Sequence, residues 1–150
     1  MPTNCVVLVP GIMGSELFLP VAGSARCVWE ERLSTIARTL LREPWFIEGH
    51  RLLEPGEVFS SRTYGYGHLI EFLNGEGYQE PGNLLKFAYD WRQPSSASAE
   101  RLRDVLRTKC QSSDYDFILV GHSMGCLVIR AVLPSAPRGC FRSSEGQTAR

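Results

Sequence analysis

Charge imbalance is missing from this chain, since 16 basic and 16 acidic residues cancel to a formal net charge of zero. Nothing electrostatic therefore recommends nucleic acid or an anionic membrane surface as a partner. Membrane-spanning runs are missing too, and Met1-Pro2-Thr3-Asn4-Cys5 has no basic n-region and leads directly into a short β-like segment. Neither a signal peptide nor a transmembrane anchor is visible, so the cytoplasm is the default expectation. The five cysteines (Cys5, Cys27, Cys110, Cys126, Cys140) contain no C-x-x-C pair. That spacing argues against a zinc site and a full disulfide framework and suggests mostly small buried hydrophobes; no metal or cofactor is expected. Internal repeats and low-complexity tracts are also absent. The most consequential gap lies after Ser123, where there is no histidine, no aspartate, and one acid, Glu145.

What is present fits one domain, because 150 residues bury roughly two thirds of their unfolded surface. Cys5-Val6-Val7-Leu8-Val9 is a continuous apolar run ended by Pro10-Gly11, the pattern of a central parallel strand buried on both faces. Ile12 to about Arg62 is too long for a loop and carries Trp29, Trp45 and Phe46, so it reads as a lid or cap with short helices of its own. Leu33 to Leu41 has partial helical spacing; a surface meander anchored by its tryptophans is the alternative. Gly67 to Asn74 predicts a helix stopped at Gly75 and Gly77, and Leu84 to Tyr89 a second strand. A helix over about Ala97 to Cys110 puts Leu102, Val105 and Leu106 along one face. Asp116 to Val120 is the third strand, and Met124 to Leu133, apolar almost all round, is expected to be a buried helix. The alternation predicts an α/β fold with a doubly wound, mostly parallel sheet.

Gly121-His122-Ser123-Met124-Gly125 sits between that third strand and that helix, the context of a serine nucleophile elbow. An ordinary glycine-rich turn is the bland alternative. Acyl transfer also needs donors for the oxyanion. The Met124 N–H, at the start of the helix, is one candidate. The Ile12 N–H is the other, since Gly11 and Gly14 allow the loop after the first strand to turn tightly and aim that amide inward. Both loops would open into one crevice at the carboxyl ends of the strands.

Val6 to Leu17, then Tyr89-Asp90-Trp91-Arg92, then Leu119 to Gly125 together resemble the lecithin:cholesterol acyltransferase family of α/β hydrolases. The resemblance covers roughly Cys5 to Leu133. It implies a lipid acyl ester as donor, an acyl-enzyme on Ser123, transfer to an alcohol or water, and an oxyanion hole from the Ile12 and Met124 amides. It also implies that the Ile12 to Arg62 insertion is the lid region, with Trp29 as an acyl-chain contact, Gly11, Met13 and His122 at the substrate site, and peripheral membrane contact through the lid. Cys126 departs from the pattern by standing where a second glycine often follows the elbow, and Cys27 has no obvious partner for a lid disulfide.

The α/β-hydrolase order is serine, acid, histidine, and residues after Ser123 cannot supply it. His122 is expected to flank the site rather than act as base, His68 to sit near a helix start and His50 in a loop, while Asp90 is expected to be structural. Residues 1–133 are therefore expected to form a partial α/β-hydrolase domain truncated after the elbow helix, with 134–150 a disordered tail. The third strand would then be an exposed edge open to a complementary chain or to self-association. Weak or absent turnover follows from that expectation. The alternatives are a serine esterase or lipase, and a lipid- or partner-binding fragment without catalysis.

Overall fold

The structure, a computed structural model, describes residues 3–43, 45–49, 51–112 and 115–135. Its centre is a parallel three-stranded sheet in which β1 (Thr3–Val9) lies between β5 (Leu84–Lys86) and β6 (Tyr115–Gly121). Val6 pairs with Leu84 on one side and Ile118 on the other, and the second ladder runs to Val9 opposite Gly121. Successive strand residues face opposite sides, and the core divides accordingly. Cys5, Val7 and Val9 pack with Leu102 and Leu106 of α4 (Ser95–Ser112) and with Val128 of α5 (Met124–Val132). Val6 and Leu84 pack with Leu69, Ile70 and Leu73 of α3 (Gly67–Gly75).

The insertion after β1 holds a second sheet that hydrophobic spacing did not disclose. β2 (Ser15–Val21) pairs antiparallel with both β3 (Ser24–Trp29) and β4 (Glu54–Val58), giving the order β3-β2-β4. Its helices are α1 (Leu33–Arg42) and the single turn α2 (Trp45–Glu48). The helix expected between Leu33 and Leu41 exists, but with its leucines outward. Thr35 and Thr39 are buried, because the Thr39 hydroxyl donates to the Val28 carbonyl and that of Thr35 to Glu30.

Three other elements differ from the sequence reading. β5 stops at Lys86, since after Phe87 donates to Leu8 the chain leaves the ladder and Tyr89 N–H turns to Ser15 Oγ at 3.3 Å. α5 buries Gly125, Val128 and Val132 but exposes Cys126, Leu127 and Ala131. The cause is its position beside β6, an edge strand of the parallel sheet among the described residues, whose Ile118 is 41% exposed. Of the cysteines, Cys5 is a buried hydrophobe, Cys27 is half-buried, Cys126 is exposed and Cys110 is disulfide-bonded. Pro134 and Ser135 close a 3-10 turn (Leu133–Ser135), and the rest of the expected tail, 136–150, lies outside the described residues. Among the described residues no helix is long and apolar enough to cross a membrane.

Candidate active site

β6 ends against β1, and the bend that follows is fixed by backbone hydrogen bonds. His122 N–H donates to Val9 O at 3.1 Å, Gly125 N–H to His122 O at 2.8 Å and Cys126 N–H to Ser123 O at 3.0 Å. Between them Ser123 takes φ 52° and ψ −122°. A non-glycine residue in such a region stores roughly 1–3 kcal/mol of strain and stays there only when its surroundings over-determine it. Here the surroundings are backbone. A Cβ on Gly125 would overlap the Val9 carbonyl oxygen and lie 2.6 Å from that of Pro10. A Cβ on Gly11 would lie 3.0 Å from Ser123 Cβ and 3.0 Å from His122 Nδ1. The loop after β1 and the elbow therefore rest directly on each other, and only glycines at these two contacts allow it.

That loop is itself a strained turn. Gly14 N–H bonds Gly11 O at 3.2 Å, and Met13 at its third position has φ 65°, where glycine is usual. Aromatic side chains hold it from outside. Tyr89 Oη donates to Pro10 O at 2.8 Å, Trp29 Nε1 to Met13 O at 3.3 Å and Trp91 Nε1 to Ser15 O at 3.4 Å. Gly11 N–H donates to Tyr66 Oη at 2.7 Å, and Tyr66 Oη lies 2.9 Å from His122 Nδ1. Burial raises the Tyr66 hydroxyl above its ordinary pKa, with the Gly11 N–H pulling the other way, and burial raises that of Tyr89 as well. Ile12 and Met124 N–H have no hydrogen-bond partner among the described residues, and neither does Ser123 Oγ. Ile12, Met13, His122 and Ser123 are exposed.

A cavity of about 520 Å³ opens beside the bend, with His122, Ile12, Met13 and Tyr66 on one side and Trp29, Leu33, Ile36, Leu40 and Phe59 on others. A second, of about 360 Å³, shares Ile12, Met13, Trp29 and Leu40. Trp29, 2% exposed, borders both and is locked by stacking on Phe46 (5.3 Å) and edge-on against Trp91 (5.1 Å). Six of the seven residues expected at the site, Gly11, Ile12, Met13, His122, Ser123 and Met124, lie on the two touching bends, and Trp29 supports one of them.

No histidine reaches the serine hydroxyl among the described residues. His122 is engaged through Nδ1 with Tyr66, His68 is exposed in the first turn of α3, and His50 lies outside the described residues. Asp90 is bound by Arg92 through Nε at 2.8 Å and Nη2 at 2.6 Å, which makes it a structural carboxylate. Tyr66 escaped the sequence reading altogether. Its one signal was a tyrosine flanked by glycines in Tyr64-Gly65-Tyr66-Gly67. Among the described residues no group of three or more His, Cys, Asp or Glu side chains is arranged to hold a metal ion.

A three-stranded parallel sheet flanked by helices, with an exposed serine on a strained strand-to-helix bend beside a mostly apolar cavity, makes this a mixed α/β protein with a candidate site at that bend. The chain belongs to the lecithin:cholesterol acyltransferase family, whose model matches residues 42–138. The match takes in Tyr89 to Arg92 and the elbow, while β1 and its loop precede it. Membership implies an α/β-hydrolase architecture and points to lipid acyltransferase or esterase-like chemistry. No curated protein matches the chain.

Proposed function

We propose that the chain is the serine-bearing part of a lipid O-acyltransferase, with Ser123 as nucleophile. The observation that carries the reading is the strained Ser123, exposed and backed by the loop after β1, next to the apolar cavity. In the reaction Ser123 Oγ adds to the carbonyl carbon of a lipid ester, and the negative charge that forms on the carbonyl oxygen is taken by the Ile12 and Met124 N–H groups. Fixed donors aimed at a developing charge are worth several kcal/mol, about 10²–10³ in rate each. Collapse of the tetrahedral adduct expels the first alcohol and leaves an acyl group on Ser123, and a second alcohol or water then takes it. The acyl chain lies in the cavity against Trp29, with Gly11, Met13 and His122 at its reactive end. The insertion of about 12–62 serves as a lid, and its outward leucines (Leu33, Leu40, Leu41) give it contact with a lipid surface.

Removal of the Ser123 proton requires a base, and none faces that hydroxyl among the described residues. Without triad partners an elbow retains only about 10³–10⁴ over water, from binding and the oxyanion donors. That observation favours a second reading for this chain on its own, binding of lipid without turnover. Product analysis with a fluorescent acyl ester, with and without an alcohol acceptor, separates the cases. Acyl transfer to the alcohol supports the transferase; free acid alone supports an esterase. Saturable binding that survives Ser123→Ala with no product in either assay supports the binding module.

A further inference from the structure

Tyr66 joins three segments that are distant in sequence. It precedes α3, accepts the Gly11 N–H at 2.7 Å and contacts His122 Nδ1 at 2.9 Å. A tyrosine hydroxyl has one proton and two lone pairs. With one lone pair taken by Gly11, the proton is free for Nδ1. The reverse assignment, Nδ1–H donating to the second lone pair, would leave the O–H without a protein acceptor, since no other partner of Tyr66 Oη exists among the described residues. A neutral imidazole that accepts at Nδ1 carries its proton at Nε2. His122 lines the cavity, and Nε2 has no partner among the described residues. Two other polar side chains that line the cavity are already engaged: Trp29 Nε1 donates to Met13 O, and the Glu31 carboxylate accepts from Ser61 N–H.

We propose that Tyr66 is a positioning residue, which holds His122 in the Nε2–H tautomer and so presents that N–H to the alkoxy or headgroup oxygen of an ester bound in the mostly apolar cavity. By occupying the Gly11 N–H, the same hydroxyl leaves the next two amides, Ile12 and Met13, as the unpaired donors of the loop among the described residues. Burial raises the Tyr66 pKa, which keeps the hydroxyl protonated and able to donate. The role toward substrate rests on Ser123 being the nucleophile, whereas the tautomer does not.

The test uses ¹⁵N-histidine-labelled protein at a pH above the imidazole titration, with the His122 signals assigned by their loss in His122→Gln. Wild type is expected to show an unprotonated Nδ1 and a protonated Nε2, and Tyr66→Phe a mixture of tautomers. In parallel, a fluorophosphonate bearing an alkyl chain is expected to label Ser123 of Tyr66→Phe about tenfold more slowly, the value of one ordinary hydrogen bond. A protonated Nδ1 in wild type overturns the proposal without any variant having to fold. A tautomer unchanged in a folded Tyr66→Phe also overturns it. An Nε2–H tautomer in a wild type whose Ser123 never labels leaves the positioning intact and removes the acyl-transfer reading instead.

Discussion

Ser123 and Met13 are the two non-glycine residues with positive φ among the described residues, and they stand on the two bends that meet at the candidate site. Strain of this kind persists where packing leaves no alternative. Gly125 is the tightest constraint, because a methyl there meets two carbonyl oxygens of the β1 terminus. Gly125→Ala should therefore cost about 3 kcal/mol or more, the upper range of overpacking, read as a lowered thermal midpoint; a midpoint equal to wild type would show that the bends do not touch. Tyrosine titration gives a second residue-level test. Tyr66 and Tyr89 both have pKa values raised above the ordinary 10.0 by burial. Above that value the unfolded chain loses these protons while the folded chain keeps them, so the folded state binds more protons and stability falls as pH rises. Stability contributed by these hydroxyls is thus complete below pH 10 and is lost as pH climbs toward the folded values. Denaturant titrations should show that decline in wild type and a shallower one in a folded Tyr89→Phe; an equal slope in both would contradict the burial of this hydroxyl.

At the scale of elements, what the sequence made legible depended on whether apolar spacing or polar pairing decided the structure. β1, α3, α4, β6 and α5 follow from runs of Val, Leu and Ile with the right period, and the elbow follows from its glycines and flanks. The sheet β3-β2-β4 was not legible, since its strands carry Pro20, Arg26, Pro55 and Gly56, and are assembled by pairing across the insertion. α1 misled in another way. Its threonines bury by bonding Val28 and Glu30, so the leucines that mark a core face elsewhere turn here to the cavity and to solvent. Tyr66 could not be found by periodicity because its role depends on contacts 55 and 56 residues away in sequence. Arg92 shows the same dependence. Beyond Asp90 it donates to the carbonyls of Phe46 (2.9 Å) and Arg51 (2.8 Å), tying the insertion to the segment after β5, with its own side chain 3% exposed. Arg92→Met should destabilise by about 3–5 kcal/mol, because Asp90 is left buried without its partner. Faster amide exchange around residues 45–49 should accompany the loss; unchanged exchange there would mean that the tether carries no load.

For the whole molecule, the two halves of the candidate site come from opposite sides of the insertion. The loop after β1 precedes the family match and the elbow lies within it, and β1 brings them together by pairing with β6 along its whole length. Two groups of exposed apolar positions have different implications. Ile12, Met13, Leu33, Leu40 and Ile47 line the cavities and suit a lipid partner. Ile118 on β6, Leu127 on α5 and Leu133 just after it are exposed in the part of the fold where β6 forms an edge of the sheet. The proposed chemistry requires Ser123 to be the group that accepts an acyl chain. Prolonged incubation with excess alkyl fluorophosphonate, followed by intact-mass analysis and peptide mapping, addresses it directly. Slow, saturable addition of one probe per chain, located on Ser123 and lost in Ser123→Ala, is the expected result. Labelling spread over other serines, or Ser123 reacting no faster than they do, would contradict it.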